Sequence, residues 1–589
     1  MAFSRRITTV VLVLLFALTL LSSAEASLFD TIRQKLSAFT TPAVEVATAA
    51  PESVVQKPKH EGKRVAIIGA GSAGSSSAYY LRRFLANSTV DKLPLDITVY
   101  EKHSYVGGRS TTVNAYDDPT VPIELGASIF VAVNYNLVNA ANELGLTVSS
   151  ASAKRPRIEE ESDILGVFDG KELLFTYPEG KWWSLAKLIY RYGPMAPYRT
   201  KKLTEETVGK FLQMYKPPHF PFTSLSEAVE AIGLLPATGT TGQQFLEQNG
   251  IVGDFAQELI QASTRVNYGQ NLGLIHGLET MVCMAAEGAM SVDGGNWRIF
   301  RGMVDASNVE LRLQTSVTSL SKDEDGQWVV SSKADGGAAT SEVYDSVIIA
   351  GPLQFSNIAI NAELDKTPDV IPFVTLHVTL FSSPLRLDPV FFGLKAGQPV
   401  PQAILTTLNE TERSDPAIVR GEGKHAVGNS GFFSVSTLRS VVRPLPDGSE
   451  GGKIEYVYKV FSPERFSDEK IGELLGVKVV DKSATITWMH RHVWKSYPYE
   501  YPRVTFEESK LAEGLWYTGG IEAFISTMET SSLMGMNVAQ LMVNEWAEEK
   551  QKEEEAKHIA EEQKKLAKQL MVAQTESDQE KITAIGDEL

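Results

Sequence analysis

The stretch "RVAIIGAGSAGSSSAYYL", residues 64–81, decides how the rest of the chain is read. It opens as a short apolar run, "RVAII", bounded by glycine, which is the pattern of a buried strand. It closes on "SSSAYYL", small and apolar residues suited to a helix packed against that strand. Between the two, Gly69, Gly71 and Gly74 stand at the spacing G-x-G-x-x-G. Gly69 permits a tight turn, Gly71 lets the backbone approach a pyrophosphate, and Gly74 lets helix and strand pack closely. The helix start offers unpaired N–H groups and the positive end of its dipole to phosphate. With a strand before it and a helix after it, the turn reads as a dinucleotide cradle.

Next outward, "LDITVYEK" (95–102) supplies the second strand of a βαβ unit and ends at Glu101. A carboxylate there accepts hydrogen bonds from a ribose 2′-hydroxyl, which favours FAD or NAD over NADP. Glu101 comes later than the usual ~20 residues after the turn, and the loop "NSTVDKLPLD" (87–96) takes up the excess. "YVGGRSTT" (105–112) follows, placing Gly107, Gly108 and Arg109 where flexible backbone brings a cation toward the phosphates.

Glu101, Gly107, Gly108 and Arg109 match the E-x(5)-GGR pattern, and here the chain resembles the two-glycine-motif flavoproteins, which include amine oxidases and desaturases. The resemblance implies FAD and an α/β fold: a Rossmann-like FAD-binding domain interleaved with a mixed α+β substrate domain. "ELGAS" (124–128) falls where that family carries a glycine segment near the flavin. "SVTSL" around Val317 resembles the strand whose backbone meets the adenine, and "YDSVIIAGP" (344–352) a strand ending at a glycine turn. "GLWYTGGIEAFISTMETSSLMGMNVAQLM" (514–542) resembles the closing segment that sets a helix N-terminus against the flavin. That implies Gly519, Gly520, Glu529 and Thr530 as flanking residues.

Within that superfamily, "RVNYGQ" (265–270), "SVDGGN" (291–296) and "IEAFISTMETSS" (521–532) resemble the prenylcysteine oxidase (farnesylcysteine lyase) family, over about residues 63–546. The resemblance implies oxidation of farnesyl- or geranylgeranylcysteine at the carbon bound to sulfur. Water then adds, and free cysteine and a prenyl aldehyde separate. O₂ is the final acceptor and yields hydrogen peroxide. The pocket expected for such a substrate is a long apolar tunnel with a polar end, lined by the aromatic middle region, with Asn267, Tyr268 and Gln270 at the flavin or the cysteine head group. No catalytic residue is assigned. Two other readings share the architecture: an amine oxidase or carotenoid desaturase, and a non-enzymatic prenyl binder like Rab escort and GDP-dissociation-inhibitor proteins. The latter degrade the phosphate-binding glycines, which are intact here.

The 589 residues exceed one simple domain, and 43% hydrophobic with 22% charged residues is the balance of a folded globular chain. A net charge of -16 excludes a general nucleic-acid surface. Cys283 is the only cysteine, so there is no internal disulfide and no Cys-based metal site; it reads as a buried, inert thiol. The nine His residues do not fall at metal spacing, and "HRH" (490–492) reads as a surface pair on a strand.

Composition marks off a signal peptide (1–26), a leader (27–62) and a charged tail (547–589), and the resemblance implies FAD-binding parts (63–164, 286–354, 485–546) interleaved with substrate-domain parts (165–285, 355–484). Arg5 and Arg6, the apolar run 7–21 and "AEA" (24–26) carry the signal-peptide reading. Later segments lack the ~18 consecutive apolar residues of a membrane span. Sequons at Asn87 and Asn409 are candidate glycosylation sites on a secretory route. The family setting implies lysosome or vacuole, while the terminal "GDEL" resembles an endoplasmic-reticulum retention signal. The tail, with its thin seam of Ile559, Leu566 and Leu570, is expected to be a surface helix or partly disordered.

Overall fold

The chain is seen in a computed structural model that describes residues 62–150, 164–178, 182–444, 452–478 and 482–586. The signal peptide, nearly all of the leader and the last three residues of "GDEL" lie outside the described residues. β1 (Lys63–Ile68) leads through the glycine turn into α1 (Ser72–Ala86) and β2 (Leu95–Tyr100). β2 pairs with β1 in parallel along its whole length. Val65, Ala66, Ile67 and Val99 are fully buried, because a parallel pair is covered on both faces.

Among the helices that follow are α2 (Tyr135–Glu143), α3 (Met195–Phe211), α4 (Gln261–Tyr268) and α5 (Gly277–Met284). The strands that follow include β3 (Glu310–Arg312), β4 (Thr315–Lys322) and β5 (Ser346–Ile349). After them come β6 (Phe373–Ser383), β7 (Trp488–Pro498), β8 (Lys510–Ala512) and β9 (Leu515–Tyr517). α6 (Met528–Gly586) is the last helix.

The first sheet has the order β8-β9-β5-β1-β2-β3, parallel throughout except between β8 and β9. β1 sits in the middle, so the glycine turn opens at the carboxyl ends of its neighbours, where α/β sheets bind ligands. β4 belongs to a separate four-stranded sheet. A seven-stranded sheet begins with β7 at its edge, then β6, and ends on Leu173–Pro178. The segments of the two larger sheets alternate along the chain, as the interleaved reading expects. One boundary moves: β7 lies in the second sheet, so the chain rejoins the first only at Lys510, not at 485. β7 goes there because nine of its residues register against β6.

α6 lies against α1 at backbone distance. A Cβ on Gly535 would sit 2.3 Å from the Ala73 carbonyl oxygen, and the Ser76 and Ser532 hydroxyls are 2.7 Å apart. Small residues on both helices permit this approach. Beyond that contact α6 continues as one helix into the tail. Near the point where it leaves the body it is tied by Lys63–Glu549 at 2.7 Å and by the Lys550 ammonium on the Thr89 carbonyl at 3.2 Å. Residues 551–573 are exposed, Ile559, Leu566 and Leu570 among them. Among the described residues no helix is long and apolar enough to cross a membrane.

The two sequons differ. Asn87 is exposed at the end of α1, its amide donating to the Arg83 carbonyl at 2.7 Å. Asn409 is buried as the N-cap of Glu410–Arg413, in a reciprocal capping box with Glu412. Its Nδ2 is enclosed, so a glycan has no room there in the folded chain, and the sequence expectation for Asn409 is corrected.

Candidate active site

The glycine turn is built of backbone alone. Gly69, at φ +108°, donates to the Tyr100 carbonyl at 2.7 Å. A Cβ on Gly74 would stand 1.9 Å from the Gly69 carbonyl oxygen, so this glycine serves the packing of helix on strand and does not line the cavity. The second glycine pair presses against the first turn: Gly107 donates to the Ala70 carbonyl at 2.8 Å, and a Cβ on Gly108 would lie 3.2 Å from the Gly71 Cα. α1 starts with no side-chain cap and no acidic residue in its first turn. Its leading N–H groups have no intrahelical partner, and Ser72 and Ala73 face the cavity.

Glu101 stands beside this groove. Its two oxygens accept from Ala70 N–H at 2.9 Å and His103 N–H at 2.8 Å. A carboxylate has about four acceptor sites, so the bonds orient it and leave capacity for ribose hydroxyls.

The cavity that starts here has a volume of about 960 Å³. It passes Val317 on β4 and Ala350–Pro352 beyond β5, reaches the N-terminus of α6, and continues between α3, α4 and α5. Its far part is lined by Ile129, Val133, Val208, Phe211, Val266, Leu278 and Val282. The lining is mostly aliphatic. The expected aromatic lining reduces to a few rings, because middle-region aromatics such as Tyr192 stack with Phe175 and Phe255 instead.

Asn267 and Tyr268 line the cavity, as does Cys283, whose thiol is pushed up by burial. Gln270 does not. It is buried, bridging the Pro498 carbonyl at 3.0 Å and the Glu500 N–H at 2.9 Å. Its substrate assignment is corrected to a tie between α4 and the end of β7. Gly519 and Gly520 also lie outside the lining: a Cβ on either would strike Tyr517 or Glu507, so they shape the turn.

Glu529 and Thr530 line the cavity with side chains already engaged. Thr530 and Thr527 cap α6 reciprocally, each hydroxyl accepting the other's N–H at 3.1 Å. Glu529 accepts from Asn136 N–H at 2.8 Å, Leu137 N–H at 3.1 Å and the Tyr215 hydroxyl at 2.6 Å. It thereby caps α2, and burial raises its carboxyl to about 7. What α6 presents to a ligand is therefore the Met528 and Glu529 N–H groups at its start.

Arg109 points away from a bare role as phosphate counter-charge. Its guanidinium pairs with Glu522 at 2.6 Å and donates to the Ser496 carbonyl. Around that pair, Ser110 Oγ, Trp494 Nε1, Ser496 Oγ and Glu522 Oε2 are buried lining atoms without hydrogen-bond partners. Buried polar atoms are seldom left so, and the polar edge of a ligand would satisfy them. Lys459, pushed down to about 8 by burial, donates to the Glu124 carbonyl at 2.7 Å and fixes the "ELGAS" segment, whose Gly126–Ser128 face the cavity.

The sequence reading missed Glu522 and the β7 residues. His492, taken as half of a surface pair, is a half-buried lining residue with its ring centroid 4.0 Å from that of Trp494. The alternation His492, Trp494, Ser496 is the signal that was available.

The parts fit FAD. The bare-backbone groove and open α1 N-terminus suit a pyrophosphate, and Glu101 suits an unphosphorylated ribose. The unpartnered atoms near the α6 N-terminus lie where the cavity extends beyond the adenosine end. A model of NAD(P)-binding Rossmann-like domains matches residues 67–144, which hold the turn, Glu101 and Arg109. The chain is 29% identical over 496 residues to a farnesylcysteine lyase of Arabidopsis thaliana, covering 82% of this chain and 88% of the relative. It is 28% identical over 514 residues to prenylcysteine oxidase 1 of Rattus norvegicus, covering 83% and 90%. Among solved structures, cyclohexylamine oxidase from Brevibacterium oxydans IH-35A is similar with a TM-score of 0.48 at 14% identity, over 82% of this chain and 99% of that one. A model of the prenylcysteine lyase family matches residues 175–555. That match spans more than half of the sequence, and the chain belongs to the prenylcysteine lyase family.

Proposed function

We propose that the protein is an FAD-dependent thioether oxidase that cleaves farnesyl- or geranylgeranylcysteine. Substrate, water and O₂ give free cysteine, a prenyl aldehyde and hydrogen peroxide. The observation that carries this reading is the single cavity. One end is a dinucleotide cradle and the other a largely aliphatic cleft, and the buried lining atoms without hydrogen-bond partners belong to Ser110, Trp494, Ser496 and Glu522. A prenyl chain suits the cleft. The amino-acid head suits the junction of cradle and cleft, with Asn267 and Tyr268 beside it.

Gly69, Gly71 and the first N–H groups of α1 would hold the pyrophosphate, Glu101 the ribose and the Val317 backbone the adenine. The α6 N-terminus would face the isoalloxazine. FAD bound there supplies the acceptor for the hydride that leaves the carbon next to sulfur. The chain orients the thioether and excludes bulk water. The positive end of α6 favours negative charge beside it. We further place the protein in the secretory pathway on the strength of its N-terminal segment, and in lysosome or vacuole by its family resemblance, with endoplasmic-reticulum retention through the terminal GDEL as the alternative and Asn87 as the accessible glycan site.

The test is anaerobic. The purified holoenzyme is expected to show a flavin spectrum that bleaches on addition of farnesylcysteine, with one thiol released per flavin. Bound flavin that farnesylcysteine leaves oxidised, and that an amine or a carotenoid bleaches, would overturn the reading. Absence of bound flavin would favour a prenyl-binding protein.

A further inference from the structure

Beyond the cavity wall lies a cluster of ionisable groups that the proposed oxidation does not use. His276, Glu279 and Glu500 are each fully buried. His276 is the N-cap of α5, its Nδ1 accepting from Glu279 N–H at 3.0 Å, and its Nε2 lies 3.5 Å from Glu500 Oε2. Both oxygens of Glu500 lack a hydrogen-bond donor, and those of Glu279 make no close hydrogen bond, with only the Tyr268 hydroxyl and the Ser526 N–H directed at them. A carboxylate left ionised in that state would be costly, so such a group holds its proton.

Glu279 is one layer behind the cavity. α5 turns Leu278, Val282 and Cys283 into the lining and Glu279 away from it. The bridge between the two is Tyr268, which lines the cavity, faces the Glu279 carboxyl and donates to the Ser526 carbonyl at 3.3 Å. Ser526 borders the α6 N-terminus. The charged and titratable groups that act on Glu279 or its partners are Tyr268 on α4, Cys283 and His276 on α5, and Glu500, Arg503 and Glu522 from the segments after β7. Burial first, then the neighbouring carboxyl, pushes Glu500 up, and burial brings Glu279 to about 8.

The proposed reaction has a step that needs a proton at one defined atom. When the hemithioacetal collapses, its hydroxyl loses a proton and that electron pair forms the carbonyl. The C–S bond breaks with its pair going to sulfur, and sulfur must be protonated to leave as cysteine. We propose that Tyr268 gives its hydroxyl proton to the departing sulfur and is refilled from a proton store formed by Glu279 and Glu500, an assignment that rests on the thioether reading above. The proton shed by the hemithioacetal passes to cavity water and returns to Glu279 through the same hydroxyl before the next turnover. Tyr268 is then the catalytic residue, and Glu279 acts through it.

Two readouts test this on the holoenzyme. Infrared titration is expected to show a protonated-carboxyl band at pH 7 that Glu279→Gln lacks; a wild type without such a band overturns the store, whatever the substrate. In stopped flow with farnesylcysteine, Glu279→Gln should slow cysteine release about 100-fold while anaerobic flavin bleaching keeps its wild-type rate, and Tyr268→Phe should slow release about 100-fold relative to its own rate of bleaching. The fall in wild-type release above pH 8 should vanish in Glu279→Gln. Tyr268→Phe, which removes only the hydroxyl, serves if Glu279→Gln does not fold. Release and bleaching slowed together, or an unchanged pH limb, overturns the relay. A wild type that farnesylcysteine does not bleach overturns the substrate reading instead, and the infrared result still decides the store.

Discussion

Gly71 and Gly74 belong to one motif but answer differently to a side chain. Gly71 has φ −79°, and a Cβ on it meets only the Gly108 Cα at 3.9 Å. A side chain there is tolerated by the protein and projects into the groove. Gly74 has no such room, since its Cβ would collide with the Gly69 carbonyl at 1.9 Å. Gly71→Val is therefore expected to fold with the melting curve of the FAD-free wild type and to bind no flavin. Gly74→Val should destabilise by on the order of 3 kcal/mol or more through overpacking. Flavin absorbance and thermal melting separate the two; flavin retained by Gly71→Val would show that the turn is not the phosphate site. The residue types of the cradle were legible because backbone geometry admits little else there. Gln270 was not, because its polarity suits a buried bridge to Pro498 and Glu500 as well as it suits a ligand.

At the scale of elements, α6 is two things in one helix. Its first part is packed on α1 through Gly535, Ser532 and the buried Leu533, Met534 and Val538. Its later part stands in solvent, supported by pairs such as Glu553–Lys557 and His558–Glu562, both at 3.7 Å, each worth only tenths of a kcal/mol. Deleting residues 556–589 should leave flavin content and melting temperature unchanged; a lower melting temperature would show that the tail packs on the body. The family match ends at residue 555, where the packed contacts have already ceased. The change from packed to solvated helix was visible as a run of Glu and Lys. The assignment of β7 was not, since "WMHRHVWKSYP" alternates suitably for either sheet and only its register with β6 settles the matter.

For the whole molecule, burial of acids sets a pH dependence. Glu529 is raised to about 7, Glu279 to about 8 and Glu500 well upward, all chiefly by burial. A carboxyl raised on folding contributes stability that is full below its unfolded value and is lost as pH climbs through its folded value. His276 opposes this, since burial lowers it to about 3 and it costs stability as pH falls below its ordinary range. Burial also lowers His377, His490 and His492 and raises Glu507 and Glu545. The acids outweigh the imidazoles because Glu279 and Glu500 stay raised across the whole interval, so the melting temperature is expected to fall from pH 5 to pH 8. Glu529→Gln should flatten that fall by on the order of 3 kcal/mol. A melting temperature that rises over this range would refute the buried-proton account.

The sequence alone determined the cofactor half of this protein. A pyrophosphate groove needs glycines at set positions next to a strand and a helix, and a ribose site needs an acid after the following strand; both are local demands written in contiguous residues. It also determined the family, through short motifs around residues 265, 291 and 521. Only the tertiary structure decided what those motifs do. The cavity is assembled from α3, α4, α5, β7 and the start of α6, which are far apart in the chain. Whether a polar side chain faces that space, caps a helix or waits one layer behind it depends on the direction each element takes when packed, and no local pattern encodes that direction.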